Sequence, residues 1–466
     1  MKNWQPDLSR SSNPLYMALA DGIEADLRGG RLSPGDRLPT HRDLARRLAI
    51  DVTTVARGYL EAHKRGLVQS HVGRGTFVSA AARHHGEPTR PAPDARRAAA
   101  VDPSMNLPPE PDDPDLVARM RAGLAAVSAD LVPLLRYQGF GGAAMDKEAA
   151  ALWLGRRGLT PPQERIFLTP GAHPALMAIL GLLAKAGDTV LSESMTYPGI
   201  RSIAAQLRLR LCGLPMDDEG ILPEAFAAAC AREAPKALYL VPTLHNPLTL
   251  TMSAARREAV AAVARRHRVP IIEDDAYGFL PLDGPAPLAA LAPELAWHIG
   301  GLSKCLGAGL RLAYVAAPDD SRALWSFAGA MRTGNVMASP LTTALATRWI
   351  GDGTANAILD FLRAEAGARQ VLAASLLPAG SYRADPLAFN IWLPLPHGWT
   401  RSTFGTHMQA LGLAVVASDA FMVEGTPPEA VRVCLGGPLP RSRLQPALEF
   451  MAHALEGPPE MSGSLF

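Results

Sequence analysis

Cysteine is scarce in this chain. There are four in 466 residues, Cys212, Cys230, Cys305 and Cys434, with no CxxC pair and no Cys/His cluster at metal-ligand spacing. That excludes a disulfide framework and argues against a metal site, and it fits a reducing, cytoplasmic setting. Long apolar runs are also missing: the longest, near 175–184, is too short to span a bilayer. The polar stretch Met1 to Pro14 lacks the apolar core of a signal peptide. Nor is there an overall charge bias, with 46 Lys and Arg against 44 Asp and Glu. The charge is uneven, however. Residues 1–80 hold twelve basic and eight acidic side chains, which leaves the rest slightly acidic. A basic end on a near-neutral body fits nucleic acid as the partner of that end.

What is present suits a soluble protein of two or three domains: 48% hydrophobic and 19% charged residues over a length too great for one ordinary domain. From Pro14 a helix is expected, with Leu15, Leu19, Ile23 and Leu27 recurring every fourth residue up to Gly29-Gly30. Thr40 reads as the N-cap of a short second helix with Leu44, Ala45 and Leu48 on one face. Asp51 reads as the cap of a third, Val52 to Arg65, with Val55, Tyr59 and Leu60 facing inward. Two short strands, Leu67 to Ser70 and Thr76 to Val78, flank a turn carrying Arg74 between glycines. This order predicts a winged helix-turn-helix, mainly α with a small β-hairpin. The third helix would enter the major groove and the hairpin tip would reach backbone or minor groove.

The segments Leu32-Ser-Pro-Gly-Asp-Arg-Leu-Pro-Thr-His-Arg-Asp-Leu-Ala45, Thr54-Val55 and Gly73-Arg-Gly-Thr-Phe-Val78 resemble the GntR-type DNA-binding domain. The resemblance implies double-stranded DNA as partner and Arg42, Thr53, Thr54, Arg57 and Arg74 as DNA-facing residues. Val52 stands where relatives often carry Arg.

The DNA-binding domain is assigned to 10–80, followed by an Ala-, Pro- and Arg-rich stretch, 81–104, that reads as a flexible linker. From Met105 to the end, 105–466, apolar strands alternate with Ala/Leu-rich helices, which predicts an α/β domain with a largely parallel sheet. In such sheets ligands collect at the carboxyl ends of strands. Several chemically able residues fall where strands are expected to end. In His298-Ile-Gly-Gly-Leu-Ser-Lys-Cys-Leu-Gly-Ala-Gly-Leu-Arg311, a strand gives way to loop at Lys304. A desolvated lysine there can act as an amine nucleophile toward an aldehyde, and a nearby arginine suits a phosphate. Ile166-Phe-Leu-Thr-Pro-Gly171 runs into a helix whose free amides could hold phosphate. In Pro270-Ile-Ile-Glu-Asp-Asp-Ala-Tyr277 three adjacent acids would repel one another in a core, so they are expected at the strand's end, near solvent or a cation.

The lysine segment is similar to the pyridoxal 5′-phosphate (PLP) lysine segment of class I/II aminotransferases. The resemblance implies an α/β fold-type-I, PLP-dependent aminotransferase-like large domain with a smaller C-terminal α+β subdomain from about 340 to 466. It implies Lys304 as the catalytic, cofactor-bonding lysine. Ser303, Arg311, Gly171, Ala172 and His173 would lie at the cofactor phosphate, with His173 in place of the usual Gln. Tyr197 would stack on the pyridine ring, Asn246 and Tyr277 would donate to the phenolic oxygen, and Asp274 would pair with the pyridinium nitrogen. Tyr137 resembles the tyrosine that crosses a dimer interface, and Arg432 the arginine that binds a substrate or effector carboxylate. Two departures stand out: Gly301 replaces the Ser or Thr usual three residues before the lysine, and Asn246-Pro-Leu-Thr249 replaces Asn-Pro-Thr-Gly.

A GntR-type head on an aminotransferase-like body resembles the MocR subfamily of transcriptional regulators. That implies a PLP-bound cytoplasmic homodimer sensing a small amino compound by external aldimine formation at Lys304, with no metal and no membrane. The alternative is a working aminotransferase with an accessory DNA-binding head.

Overall fold

The computed structural model describes residues 4–6, 14–28, 31–32, 35–65, 67–71, 75–79, 105–334, 336–409, 413 and 415–457. Arg74 and the 81–104 segment lie outside the described residues. The chain divides into two units, Met1–Val101 and Asp102–Phe466.

In the smaller unit α1 (Leu15–Arg28), α2 (His41–Leu48) and α3 (Val52–Lys64) precede the antiparallel hairpin β1 (Val68–His71) and β2 (Gly75–Val78). The helices start where local chemistry dictates. Thr40 accepts from the Asp43 amide and Asp51 from the Thr53 amide, satisfying donors that a first turn leaves open. Leu19, Ile23, Leu44, Val55 and Tyr59 are buried together, and the Tyr59 hydroxyl donates to the Pro39 carbonyl at 2.9 Å. Leu60 corrects the expectation: it is 56% exposed, and Ala62 takes the inward place. One residue advances a helix by about 100°, so Leu60 turns away from the face that Val55 and Tyr59 share.

The larger unit is built on a seven-stranded sheet of β3 (Ile166–Thr169), β4 (Thr189–Glu193), β5 (Arg210–Leu214), β6 (Ala237–Leu240), β7 (Ile271–Asp274), β8 (Ala296–Gly301) and β9 (Ala313–Ala316). The spatial order is β3-β9-β8-β7-β6-β4-β5, and β9 alone runs antiparallel to its neighbours β8 and β3. Alternation along the strands feeds two cores. Leu168, Leu191, Leu238, Ile271 and Tyr314 face one side, and Phe167, Val190, Tyr239, Ile272 and Val315 the other. The first side is covered in part by α4 (Pro114–Ser128) and α5 (Ala144–Gly155). The second is covered in part by α6 (Ala172–Leu183) and α7 (Pro198–Gln206). A smaller antiparallel sheet, β10 (Asn390–Pro394), β11 (Val415–Ala417) and β12 (Ala430–Cys434), has β12 in the middle and its own apolar core. No described helix is long and apolar enough to cross a membrane.

Candidate functional site

Six parallel strands end along one edge of the large sheet, and the segments after five of them carry the site. The segment after β3 carries Ala172 and His173, that after β4 carries Tyr197, and that after β6 carries Val241 and Asn246. Asp274 closes β7, with Tyr277 beyond it, and Ser303 and Lys304 follow β8. Because β9 is antiparallel, it starts at the same edge, which brings Arg311 there too. These residues line one cavity of about 430 Å³, completed by Arg432 from β12 and by Asn106.

Gly171 is the N-cap of α6 at φ 100°, a conformation that glycine adopts without strain. A Cβ at Gly171 would lie 3.1 Å from the Arg311 guanidinium, so the helix amides and this cation converge. Gly171 itself does not line the cavity. The His173 Nε2 and Tyr197 hydroxyl are 2.8 Å apart, and burial, then the charge of Arg311, lowers the His173 pKa. The ring is therefore neutral near pH 7, and its partner Tyr197 is pushed up to about 12, chiefly by burial.

Asp274 is buried, and the Tyr239 hydroxyl donates to its Oδ2 at 2.8 Å, while Oδ1 has no hydrogen-bond partner among the described residues. Burial raises its pKa to about 6, against the lowering effect of the tyrosine. Lys304 is pulled the other way, down to about 8, by burial and then by the charge of Arg432. Its Nζ donates to the Asn106 carbonyl. The Asn106 side chain donates at 2.9 Å to the Tyr277 hydroxyl and at 2.9 Å to Asn390 Oδ1. Arg432 donates at 2.9 Å to Asn246 Oδ1, and its guanidinium lies 5.1 Å from the Phe421 ring centre.

The three acids of β7 correct part of the expectation. All are buried, none near solvent, and their cations come from afar. Alternation turns Glu273 toward Arg257 (3.3 Å) and His298 (3.3 Å), and Asp274 toward Tyr239 on the opposite face. Asp275, beyond the strand, pairs with Arg157 at 2.9 Å. Glu193, at the end of β4, is a fourth buried acid, one that sequence reasoning missed. It accepts from Thr196 and from the Val241 amide, and burial raises it to about 7.

Tyr137 does not line the cavity and is 84% exposed. Asn106, Tyr239 and Phe421 were missed as site residues. The one sign of Asn106 in the sequence is a polar side chain between Met105 and Leu107. In the smaller unit Arg42, Thr53 and Arg57 are exposed and Thr54 is half-buried. The Thr53 hydroxyl is used locally, donating to Asp51, and the Arg57 guanidinium lies 4.3 Å from the Tyr16 ring centre. Among the described residues no group of three or more His, Cys, Asp or Glu is placed to hold a metal.

Residues 111–449 match the family described as aminotransferase class I and II, and residues 15–78 the family described as bacterial regulatory proteins, gntR family. The chain is 30% identical to the HTH-type transcriptional regulator YdeF of Bacillus subtilis over 97% of each chain. It is also 30% identical to the vitamin B6 salvage pathway transcriptional repressor PtsJ of Salmonella typhimurium, over 87% of this chain and 89% of that one. Among solved structures, LysN, an α-aminoadipate aminotransferase of Thermus thermophilus, matches with a TM-score of 0.68 at 22% identity, covering 76% of this chain and 91% of that one. At that identity the likeness shows the fold, a fold-type-I aminotransferase body. The chain therefore belongs to the aminotransferase class I and II family, in the MocR arrangement that joins such a domain to an N-terminal GntR-family regulatory segment.

Proposed function

We propose that the chain is a PLP-dependent, DNA-binding transcriptional regulator whose larger unit senses an amino compound, acting as a homodimer. One observation carries this: an amine at Lys304 and a buried carboxylate oxygen of Asp274 that has no hydrogen-bond partner among the described residues line the same cavity, beside Arg311 and the N-terminus of α6. That donor set fits PLP. The α6 amides, Ser303 and Arg311 would hold its phosphate. Asp274 would accept from the ring nitrogen, Asn246 and Tyr277 would serve the phenolic oxygen, and Tyr197 would cover the ring. Bound PLP supplies an aldehyde carbon that amines condense with, and a ring that takes up electrons.

The chain's own residues do the rest. Burial keeps a usable fraction of Lys304 neutral near pH 7, which a nucleophilic amine requires. Arg432, oriented by Asn246, holds the carboxylate of an entering compound. Exposed Tyr137, with exposed Leu131, Val132 and Leu135 close in sequence, supports a second copy that covers this segment. In the head, Arg42, Thr53, Thr54, Arg57 and Arg74 are the proposed DNA contacts.

A second reading, an aminotransferase with an accessory head, is favoured by the same lowered Lys304, which suits a group that moves protons. Keto-acid production over many turnovers would select it. The regulator is tested by gel-shift titration of the full chain with duplexes from upstream of its own gene. Amines that change the visible absorbance of PLP-loaded protein should also change duplex affinity, and DNA should shift amine affinity by the same factor. Duplex affinity indifferent to PLP and to every amine would contradict it.

A further inference from the structure

His173 and Tyr197 meet from two helices that start at the same edge of the large sheet. His173 lies in the first turn of α6, and Tyr197 immediately precedes α7. Both line the cavity. Their rings meet edge to face with centres 5.6 Å apart, and Nε2 lies 2.8 Å from the hydroxyl. Neither partner is charged near pH 7, since burial and then Arg311 lower His173, and burial holds Tyr197 at about 12. With its ring proton on Nδ1, a neutral His173 accepts the hydroxyl's hydrogen bond at Nε2. Gly199, the second residue of α7, makes room for the pair: a Cβ there would overlap both His173 Nε2 and the Tyr197 ring. Glycine weakens a helix, and space is what it supplies in return here.

We infer that His173 is a positioning residue: its Nε2 tethers the tip of Tyr197, and its side chain takes no part in the phosphate seat that the family resemblance implies for it. This rests on the PLP reading given above, in which Tyr197 covers the cofactor ring. A tyrosine side chain chooses among staggered rotamers. A tether at the hydroxyl, the far end of the ring, holds it in the one that points into the cavity. A neutral imidazole adds no charge to a phosphate seat, and Arg311 already supplies a cation there. His173 therefore acts on the cofactor through Tyr197.

The experiment is a PLP titration of cofactor-free full-length protein, read by visible absorbance, with His173→Asn and His173→Gln each made in the wild type and in Tyr197→Phe. The asparagine amide is too short to reach Tyr197, whereas the glutamine amide reaches about as far as Nε2. In the wild type His173→Asn is expected to weaken PLP about three- to tenfold, and His173→Gln to bind within about twofold of the parent. In Tyr197→Phe the bond is already gone, so both substitutions should cost less than about twofold. At saturating PLP the visible circular dichroism of the bound cofactor should change alike in His173→Asn and Tyr197→Phe, a signal that a general loss of stability would not move. An equal loss on His173→Asn in both backgrounds would mean that His173 meets the cofactor directly, and would overturn the inference while leaving PLP binding intact. No loss in the wild type would overturn it as well. Wild-type protein that takes up no PLP would overturn the cofactor reading itself, and the inference with it.

Discussion

The Lys304 amine donates its hydrogen bond to the main-chain carbonyl of Asn106, two residues beyond the 81–104 segment that leads from the DNA-binding head. The amine proposed to bond the cofactor thus touches the stretch of chain that continues toward the head. Asn106 is buried, and its side chain ties that stretch to Tyr277 and Asn390. Asn106→Ala removes the donor to both and leaves buried polar atoms unsatisfied. It is expected to destabilise the larger unit by about 1–3 kcal/mol, read from urea unfolding. An unchanged midpoint would count against the network.

Lys304 also sets a pH dependence. Its folded pKa, about 8, lies below the unfolded lysine value near 10.4. Between those values the unfolded chain binds the extra proton, so this group's contribution to stability rises with pH there, and its burial cost is full below 8. Cofactor capture follows the neutral amine. The rate at which cofactor-free protein gains visible absorbance on adding PLP should rise about fivefold from pH 7 to 8 and less than about twofold from 8 to 9. A rate still climbing about sevenfold between 9 and 10 would indicate an unperturbed lysine.

Gly301 is a place where a residue can be added. Its φ of −72° is open to any side chain, and a Cβ there would meet Ala172 and Ala276 at an ordinary 4.0 Å. Gly301→Ser restores a hydroxyl on the strand end preceding Ser303, beside the proposed phosphate seat. PLP is expected to bind about three- to tenfold tighter, the worth of one added hydrogen bond, measured by equilibrium titration of cofactor-free protein. Weaker binding would place the phosphate elsewhere.

The Arg157–Asp275 pair is buried, its side chains 4% and 0% exposed. Asp275→Ala would strand a buried guanidinium, with Thr243 and the Pro285 carbonyl as its remaining partners. A loss of about 3–5 kcal/mol is expected in urea unfolding. A loss under about 1 kcal/mol would mean that these partners suffice.

Much of this was legible in the residues, for physical reasons that can be named. Thr40 and Asp51 announced helix starts because capping is local, and the apolar runs around Ile299 and Val315 became adjacent strands. The site residues gathered because strands of a parallel sheet end on one edge, so Asp274, Asn246 and Lys304 had to converge. What stayed hidden depends on contacts remote in sequence. Arg157 and Arg257, which neutralise Asp275 and Glu273, sit on segments with no local mark of that duty. Tyr239 reaches Asp274 because β6 pairs with β7, a pairing that the sequence does not print. Leu60 was misplaced by one residue of helical phase, and a run of hydrophobic letters cannot resolve that.

The central claim, that a cofactor aldehyde is tethered at Lys304, is tested most directly by borohydride reduction of PLP-loaded protein followed by peptide mass spectrometry. The account predicts a phosphopyridoxyl group on the peptide containing Lys304, and none in Lys304→Ala. Modification of a different lysine, or an unmodified Lys304 peptide from protein saturated with PLP, would contradict it.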